Sequence, residues 1–385
     1  MLNENTLVNR AKKVLAQGET GTNSKRPSCY PANYPSHLVR GEGAYVYDVH
    51  KRRYLDFIGS LGANLLGYNH PKVTEAVVVQ LRAGVSYSLP HFLEVEVAEL
   101  ITEMFPQIEK VRFLKTGNEA TLAAIRIARA ATGLTHVYSE GYHGWGDAWT
   151  SMTPPAKGVV DHLAISNTSQ GEIAIVEPVQ LDVSDDRRRA LEEIIKSHKV
   201  VIFDEIITGL RVPKHSVGAW FNLKPQITCL GKGLGNGFPL TVVGGTKELM
   251  DSDYFVSSTF SGEAVSLAAC YATLNEVRKK GVDNLWYYGN RFQTKFNEIC
   301  KPIGVKLEGY GTRAMLNTDD PNTPVFMQEC LKGGLMFGKA FFFGFAHLEQ
   351  GIEEYTFNVI VDVVEKIVHG KVQLEGQVPT QTFKR

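Results

Sequence analysis

The chain lacks an excess of charge of either sign. Its 385 residues carry 41 Lys plus Arg against 41 Asp plus Glu, a formal net charge of zero. That balance removes the electrostatic basis for nucleic acid or an anionic membrane as the main partner. Long apolar runs are missing as well. The longest are short pieces such as Ala340-Phe341-Phe342-Phe343, far below the roughly 20 residues that cross a bilayer. The first residues, Met1-Leu2-Asn3-Glu4-Asn5, have no basic-then-apolar signal pattern. Cysteine is sparse: Cys29, Cys229, Cys270, Cys300 and Cys330 are odd in number, with no Cys-x-x-Cys among them. They read as reduced thiols, not as a disulfide framework or a zinc site, so a cytoplasmic protein without a metal is expected. There is no low-complexity region and no internal repeat.

What is present fits a large enzyme. Hydrophobic residues make up 43% of a 385-residue chain, enough to bury a substantial core in two domains or in one large domain with an appendage. A polar arm ends in Lys25-Arg26-Pro27, and residues 43–58 alternate apolar and polar around a turn at Lys51-Arg52-Arg53, a hairpin pattern. From about residue 72 to 280, short apolar runs alternate with helical stretches. Val111-Arg112-Phe113-Leu114 precedes an Ala-rich helix from Glu119 to Ala131. Ile173–Val176 ends at Glu177, Val200–Phe203 at Asp204, and Ile227–Leu230 at Gly231-Lys232. Continuous apolar strands between helices imply an α/β fold with a mostly parallel sheet covered on both faces. The C-terminal hundred residues change to helix, strand-like pieces, a Phe-rich run and a last helix near 351–369. The expected organisation is an N-terminal arm and part of a small domain (1–55), a large domain (56–282) and a C-terminal small domain (283–385). The tail from Val372 is mostly polar and is expected to be loosely held.

The pair formed by Val201-Ile202-Phe203-Asp204-Glu205 and Gly231-Lys232-Gly233 carries the most chemistry. A carboxylate at a strand end and a lysine among glycines suit pyridoxal phosphate (PLP), which needs a lysine amine for a Schiff base and an acid for its pyridinium nitrogen. Other uses of a Gly-flanked lysine fail. A phosphate-binding Walker loop needs Gly where Gln226 stands and Ser or Thr where Gly233 stands. The dinucleotide fingerprint breaks at Asn236. Taken singly, Asp204 reads as easily as a helix cap or a solvated strand end. Ligands in such sheets bind outside the carboxyl ends of the strands, however, and Thr116-Gly117-Asn118, Glu177, Asp204 and Lys232 all fall on that edge. Thr116-Gly117-Asn118 leads into a helix and makes a phosphate seat from backbone amides; on its own a plain N-cap is the favoured reading. Tyr142-His143-Gly144-Trp145 sets aromatics between glycines, which suits stacking on a flat ring or a surface loop.

As an ordered set these segments, with Gly67-Tyr68-Asn69-His70-Pro71 and Thr259-Phe260-Ser261-Gly262, make the chain resemble the class III aminotransferases of fold type I. The resemblance covers about residues 40–275 and is greatest to the glutamate-1-semialdehyde aminomutase branch. It implies a fold type I architecture with a large domain built on a seven-stranded type of sheet, PLP as cofactor, and an obligate homodimer with the site at the subunit interface. Lys232 would hold the cofactor as a Schiff base and move the proton, and Asp204 would pair with the pyridinium nitrogen. Ile206 and Tyr142 would cover the two ring faces, and Gly117 and Asn118 would hold the phosphate. Glu177 and His143 would lie near the cofactor, and Thr259 would reach the phosphate of the partner subunit.

Three departures bear on substrate. Asn118 stands where Thr or Ser is usual, the stretch from Tyr142 to Glu177 is short, and Tyr30-Pro31-Ala32-Asn33 replaces the Ser-Pro-x-Arg of the aminomutases. A substrate carboxylate is best held by the planar fork of an arginine. Asn33 stands at the expected place, and no Arg lies between Arg313 and Arg385. The expected activity is therefore amino transfer from an amino donor to a carbonyl acceptor with a neutral reacting end, a keto-sugar or an aldehyde, hydrogen-bonded by Tyr30, Asn33 and Tyr34. Were the substrate to carry a carboxylate after all, Lys25 or Arg26 would be the substitute clamp, and intramolecular amine transfer is the alternative activity.

Overall fold

The computed structural model describes residues 4–18, 25–149 and 172–380. The chain forms two compact units. One holds the described residues up to Leu61, Gly67–Asn69 and those from Tyr287 onward; the other holds Gly62–Leu66 and His70–Trp286.

The second unit is built on one sheet. Its strand order is Lys110–Leu114, Thr241–Gly245, Ile227–Leu230, Val200–Glu205, Ile173–Val176, Val137–Glu140. The last four run parallel to one another, and Thr241–Gly245 is antiparallel to both of its neighbours. Six strands thus lie in the described residues, against the seven-stranded type that the sequence implied. Every residue of Ile173–Val176, Val200–Glu205 and Ile227–Leu230 is buried. A parallel sheet covered on both faces requires this, which is why these strands read as unbroken apolar runs.

The helix Gly117–Thr132 covers the sheet with a face of Ala120, Ala123, Ala124, Ile127 and Ala128, packed in one core with Val137, Ile175, Ile202 and Ile227. It begins two residues before the expected Glu119. Thr116 caps it, accepting from the Glu119 amide while the Glu119 carboxylate reaches back to the Thr116 amide at 2.8 Å. The reciprocal cap satisfies two donors and fixes the first turn.

The first unit has a four-stranded sheet (Leu38–Glu42, Tyr45–Asp48, Arg53–Asp56, Leu335–Met336) and a three-stranded one (Leu307–Tyr310, Arg313–Leu316, Ala340–Phe341). The Phe-rich run supplies its core: Phe57 stacks on Phe337 and Phe341 with centroids 4.9 and 5.3 Å away. Each such ring stabilises the unit by about 1.5–3 kcal/mol through burial. The tail corrects an expectation. Instead of hanging loose it is tied through Thr380: the buried Gln328 donates to the Gln373 carbonyl at 2.9 Å and accepts from the Glu375 amide at 2.7 Å, and the Thr380 amide donates to the Ser28 carbonyl at 2.9 Å. A fully buried amide must find partners, and the backbone of the tail supplies them. Among the described residues no helix is long and apolar enough to cross a membrane.

Candidate active site

The strand Val200–Glu205 ends in two carboxylates with opposite fates, because successive side chains of a strand point to opposite faces. Asp204 is 5% exposed. Its Oδ1 accepts the Ile206 amide at 3.2 Å, and its Oδ2 lies 2.8 Å from His143 Nδ1. The other ring nitrogen, Nε2, is 3.1 Å from the Glu140 carbonyl oxygen. A carbonyl only accepts, so Nε2 donates. A neutral ring then faces Asp204 with a lone pair and needs a hydrogen from the carboxyl, whereas a doubly protonated ring donates to it. In either case one hydrogen lies between Nδ1 and Oδ2. Trp149 packs edge-on against the imidazole with centroids 5.3 Å apart, and the Thr121 hydroxyl donates to the His143 carbonyl at 2.6 Å. His143 therefore sits behind Asp204, and any influence on a bound ring passes through that carboxylate.

Glu205 is fully buried on the opposite face. It accepts from the Thr208 hydroxyl at 3.0 Å and from the amides of Val217 at 2.7 Å and Gly218 at 3.2 Å. Burial pushes its carboxyl up to about 7, with the charge of Asp204 adding to the rise and the three donors opposing it.

Three loops meet at Ile206. A Cβ on Gly117 would lie 3.0 Å from Ile206 Cδ1, and one on Gly231 would lie 3.3 Å from Ile206 Cγ2 and 2.9 Å from Thr241 Cγ2. The helix start, the end of the Asp204 strand and the approach to Lys232 thus converge on one isoleucine, and a Cβ at either glycine would press on its neighbours. Lys232 opens the turn Lys232–Gly235 at φ 44°, left-handed for a residue with a Cβ. Strain of this kind costs about 1–3 kcal/mol and persists where the surroundings fix it, commonly at functional sites.

Asn118 is half-committed. Its Oδ1 accepts the Gly146 amide at 2.9 Å and holds the 144–146 segment against the helix start. The Nδ2 group and the first amides of the helix, which have no partner within a helix, are what remains for an anion. Glu177 ties down the Tyr142 side: its Oε2 accepts the Tyr142 amide and the Gln180 side chain, both at 2.9 Å. Burial, then Glu177, then Asp204 raise the Tyr142 hydroxyl above its usual range. Thr259 is exposed in the turn before the helix Ala264–Lys280, and no hydrogen bond or ion pair of the described residues joins it to the others. Most of the short stretch between Tyr142 and Glu177 lies outside the described residues.

The sequence reading missed the supports. Lys115, one residue before the cap, donates to Glu263 Oε1 at 2.5 Å, to the Pro239 carbonyl at 3.0 Å and to Ser266 at 3.1 Å. Glu263 in turn caps the helix Ala264–Lys280. Nothing in the local pattern links positions 148 residues apart. Substrate-side expectations also change. Asn33 donates to the Gln328 carbonyl at 3.0 Å, and the Tyr34 hydroxyl donates to the Phe337 carbonyl at 2.7 Å. The Tyr34 hydroxyl is thereby spent on backbone, whereas Asn33 keeps a buried Oδ1 without a partner among the described residues.

The donor set suits PLP: amides at a helix start for a phosphate, a buried and braced carboxylate for a ring nitrogen, and a lysine between glycines. Fold and site define a PLP-dependent enzyme of fold type I. The aminotransferase class-III family profile matches residues 30–199 and 162–341, and the chain belongs to that family. It is 30% identical over 390 residues to a glutamate-1-semialdehyde 2,1-aminomutase of Salinibacter ruber, covering 90% of this chain and 89% of that protein. Its fold matches the FumI protein of Sphingopyxis sp. MTA144 with a TM-score of 0.85 at 22% identity, covering 97% and 98% of the two chains. An omega-transaminase of Sphaerobacter thermophilus matches with a TM-score of 0.80 at 23% identity, covering 94% and 97%. The chain is thus a PLP-dependent transaminase.

Proposed function

We propose that this enzyme moves an amino group between a separate donor and acceptor, with Lys232 as the covalent anchor and proton carrier and Asp204 as the acid facing the ring nitrogen. Bound PLP supplies an electron sink for the pair released at the substrate carbon. Asp204 accepts a charge-assisted hydrogen bond there, and its His143 and Ile206 contacts hold it in one orientation. Gly117, Asn118 and the helix start hold the phosphate, Ile206 and Tyr142 flank the ring, and Glu177 braces Tyr142 through its amide. Lys232 Nζ carries the proton between substrate atoms; a lysine beside a cationic ring, shielded from water, loses its proton readily. The observation that carries this reading is the convergence of the Gly117, Asp204 and Gly231 loops on Ile206.

Thr259 belongs in this reading to the phosphate site of a second copy, so the enzyme works as a homodimer, and the thiol pattern supports a cytoplasmic location. Two inactive variants, Lys232→Ala and Thr259→Ala, should regain part of the activity when co-assembled; hybrids that stay inactive would refute the shared site. The purified protein should absorb in the visible range, and borohydride should fix the cofactor on the peptide containing Lys232. Labelling elsewhere would refute the assignment. The Salinibacter relative favours intramolecular amine transfer as a second reading. Asn33, a neutral amide where the aminomutases have an arginine, speaks against it, and saturable conversion of glutamate-1-semialdehyde to 5-aminolevulinate would establish it.

A further inference from the structure

The smaller unit contains a pocket of about 870 Å³, within the roughly 300–1,000 Å³ usual for small-molecule sites. One wall is aromatic: Tyr30 and Tyr34 stack with centroids 5.1 Å apart and planes at 17°. Ile58 and Met336 also line it, with Val8 from the helix Glu4–Val14 and Leu15 just past its end. The Tyr34 hydroxyl on this wall is already spent on the Phe337 carbonyl. A polyol would leave its hydroxyls unpaired against such a wall, so the walls favour an apolar body.

Charge selects what that body carries. Lys12, Lys25 and Arg40 line the pocket against a single carboxylate, Asp56. Arg40 is paired with Glu42. Asp56 accepts from the Ile58 amide at 2.8 Å, the Gly59 amide at 3.2 Å and the Tyr68 hydroxyl at 2.5 Å, so its oxygens are occupied. Among the described residues neither Lys12 nor Lys25 has an ion-pair partner. Lys25 is placed: its Nζ donates to Ser60 Oγ at 3.3 Å, which leaves two of the three ammonium hydrogens for another acceptor.

Ser60 is itself held in an unusual conformation. Gly59, Ser60, Leu61 and Gly62 have φ of 54°, 52°, 58° and 86°, a left-handed turn in which Ser60 and Leu61 both carry a Cβ. Left-handed helical backbone costs roughly 1–2 kcal/mol per such residue. Both strained residues line this pocket, where stored strain is an indicator of function.

We propose that this pocket binds a small aromatic or branched-chain carboxylate, with Lys25 as its charge partner and the Tyr30–Tyr34 pair as its apolar wall. The proposal rests on the transaminase reading only for the question of whether its occupant is the reacting substrate or a separate ligand. The test titrates the PLP-loaded enzyme with phenylacetate and with its neutral isostere phenylacetamide by calorimetry. Phenylacetate should bind at least about tenfold more tightly, about 1.4 kcal/mol, since only the acid offers the ammonium an opposite charge. Lys25→Met should erase that preference and Lys25→Arg should keep it. Equal binding of acid and amide by the wild type would overturn the proposal, as would a preference that survives Lys25→Met or is lost instead in Lys12→Met. Lys25 is exposed, so its variants should keep the cofactor band and melting temperature. A retained visible band with no acid preference sinks the pocket alone, whereas a protein that never turns yellow with PLP sinks the transaminase reading. Competition of phenylacetate against the amino donor or acceptor marks the occupant as substrate; binding without a change in either KM marks it as a separate ligand.

Discussion

Asp204 and Glu205 leave the same strand end one residue apart, and their surroundings divide between them what a protein can do with a buried acid. Glu205 accepts from two backbone amides and a hydroxyl of the segment that follows it, so all three of its bonds tie down its own chain. Asp204 is braced by one amide and one imidazole, and its oxygens keep room for a further donor, since each has two lone pairs. The first arrangement stabilises a fold. The second holds a charge ready for a ligand. Burial alone does not separate them, because both are nearly inaccessible. What separates them is where their hydrogen bonds come from.

Variants on the two faces should therefore fail differently. The largest effect belongs to Lys232, in the turn after the neighbouring strand. Lys232→Ala should abolish turnover and the borohydride-stable label while the melting temperature stays near that of wild type, because the residue sits in a turn between elements and its side chain is not part of the buried core. Measurable steady-state turnover in this variant would remove Lys232 from the chemistry. Next comes Asp204→Asn, which keeps the shape and removes the charge. A loss of about a hundredfold or more in kcat is expected, about 3 kcal/mol of transition-state stabilisation, with little change in stability. Near-normal activity would mean that the acidic partner lies elsewhere.

Glu205→Gln inverts that pattern. The buried carboxyl has a folded pKa of about 7 against 4.5 for the free group. The native state therefore holds a proton that the unfolded state has lost between those values. Its contribution is fully present below about 4.5 and is lost as pH rises through about 7. The wild type should lose on the order of 3 kcal/mol across that window from this group, and the Gln variant should lose the corresponding slope in melting temperature. It should also be less stable at pH 5 by about 1–3 kcal/mol, because an amide turns a donor toward the Val217 and Gly218 amides. Its kcat per cofactor-loaded site should stay within about threefold of wild type, the range of a kcal/mol or less. A hundredfold loss of kcat with an intact fold would break the contrast.

Much of this was legible in the sequence because buried parallel strands announce themselves as unbroken apolar runs, and their polar ends mark the ligand edge. Asp204, Lys232, Glu177 and the Gly117 loop all stood out for that reason. The supports did not. The Lys115–Glu263 bridge and the Asn118 contact to Gly146 join distant segments, and a local pattern carries no information about such meetings. The tail misled for a related reason: its polar composition predicts looseness, but the backbone it offers satisfies the buried Gln328. Tyr34 looked like a substrate contact because a hydrogen-bonding side chain in a short segment does not reveal that a backbone carbonyl will take it.

The smallest expected effect tests how Asp204 is held. His143 touches the carboxylate at 2.8 Å and is anchored from behind by the Glu140 carbonyl, the Thr121 hydroxyl and the edge of Trp149. It is a positioning residue: removing it takes a hydrogen-bond partner from Asp204 and leaves a cavity where the ring was, but the Ile206 amide still holds the other oxygen. His143→Ala should lower kcat about tenfold, roughly 1.4 kcal/mol, with the KM values of donor and acceptor unchanged, because no substrate contact is lost. His143→Asn should recover part of kcat, since its amide can donate to Oδ2 from the same side. A structural role alone predicts something else: both variants would lose cofactor and stability together, and the Asn variant would give no recovery. Equal kcat in wild type and His143→Ala would show that the Ile206 amide suffices, and the difference between Asp204 and Glu205 would then rest on backbone donors alone.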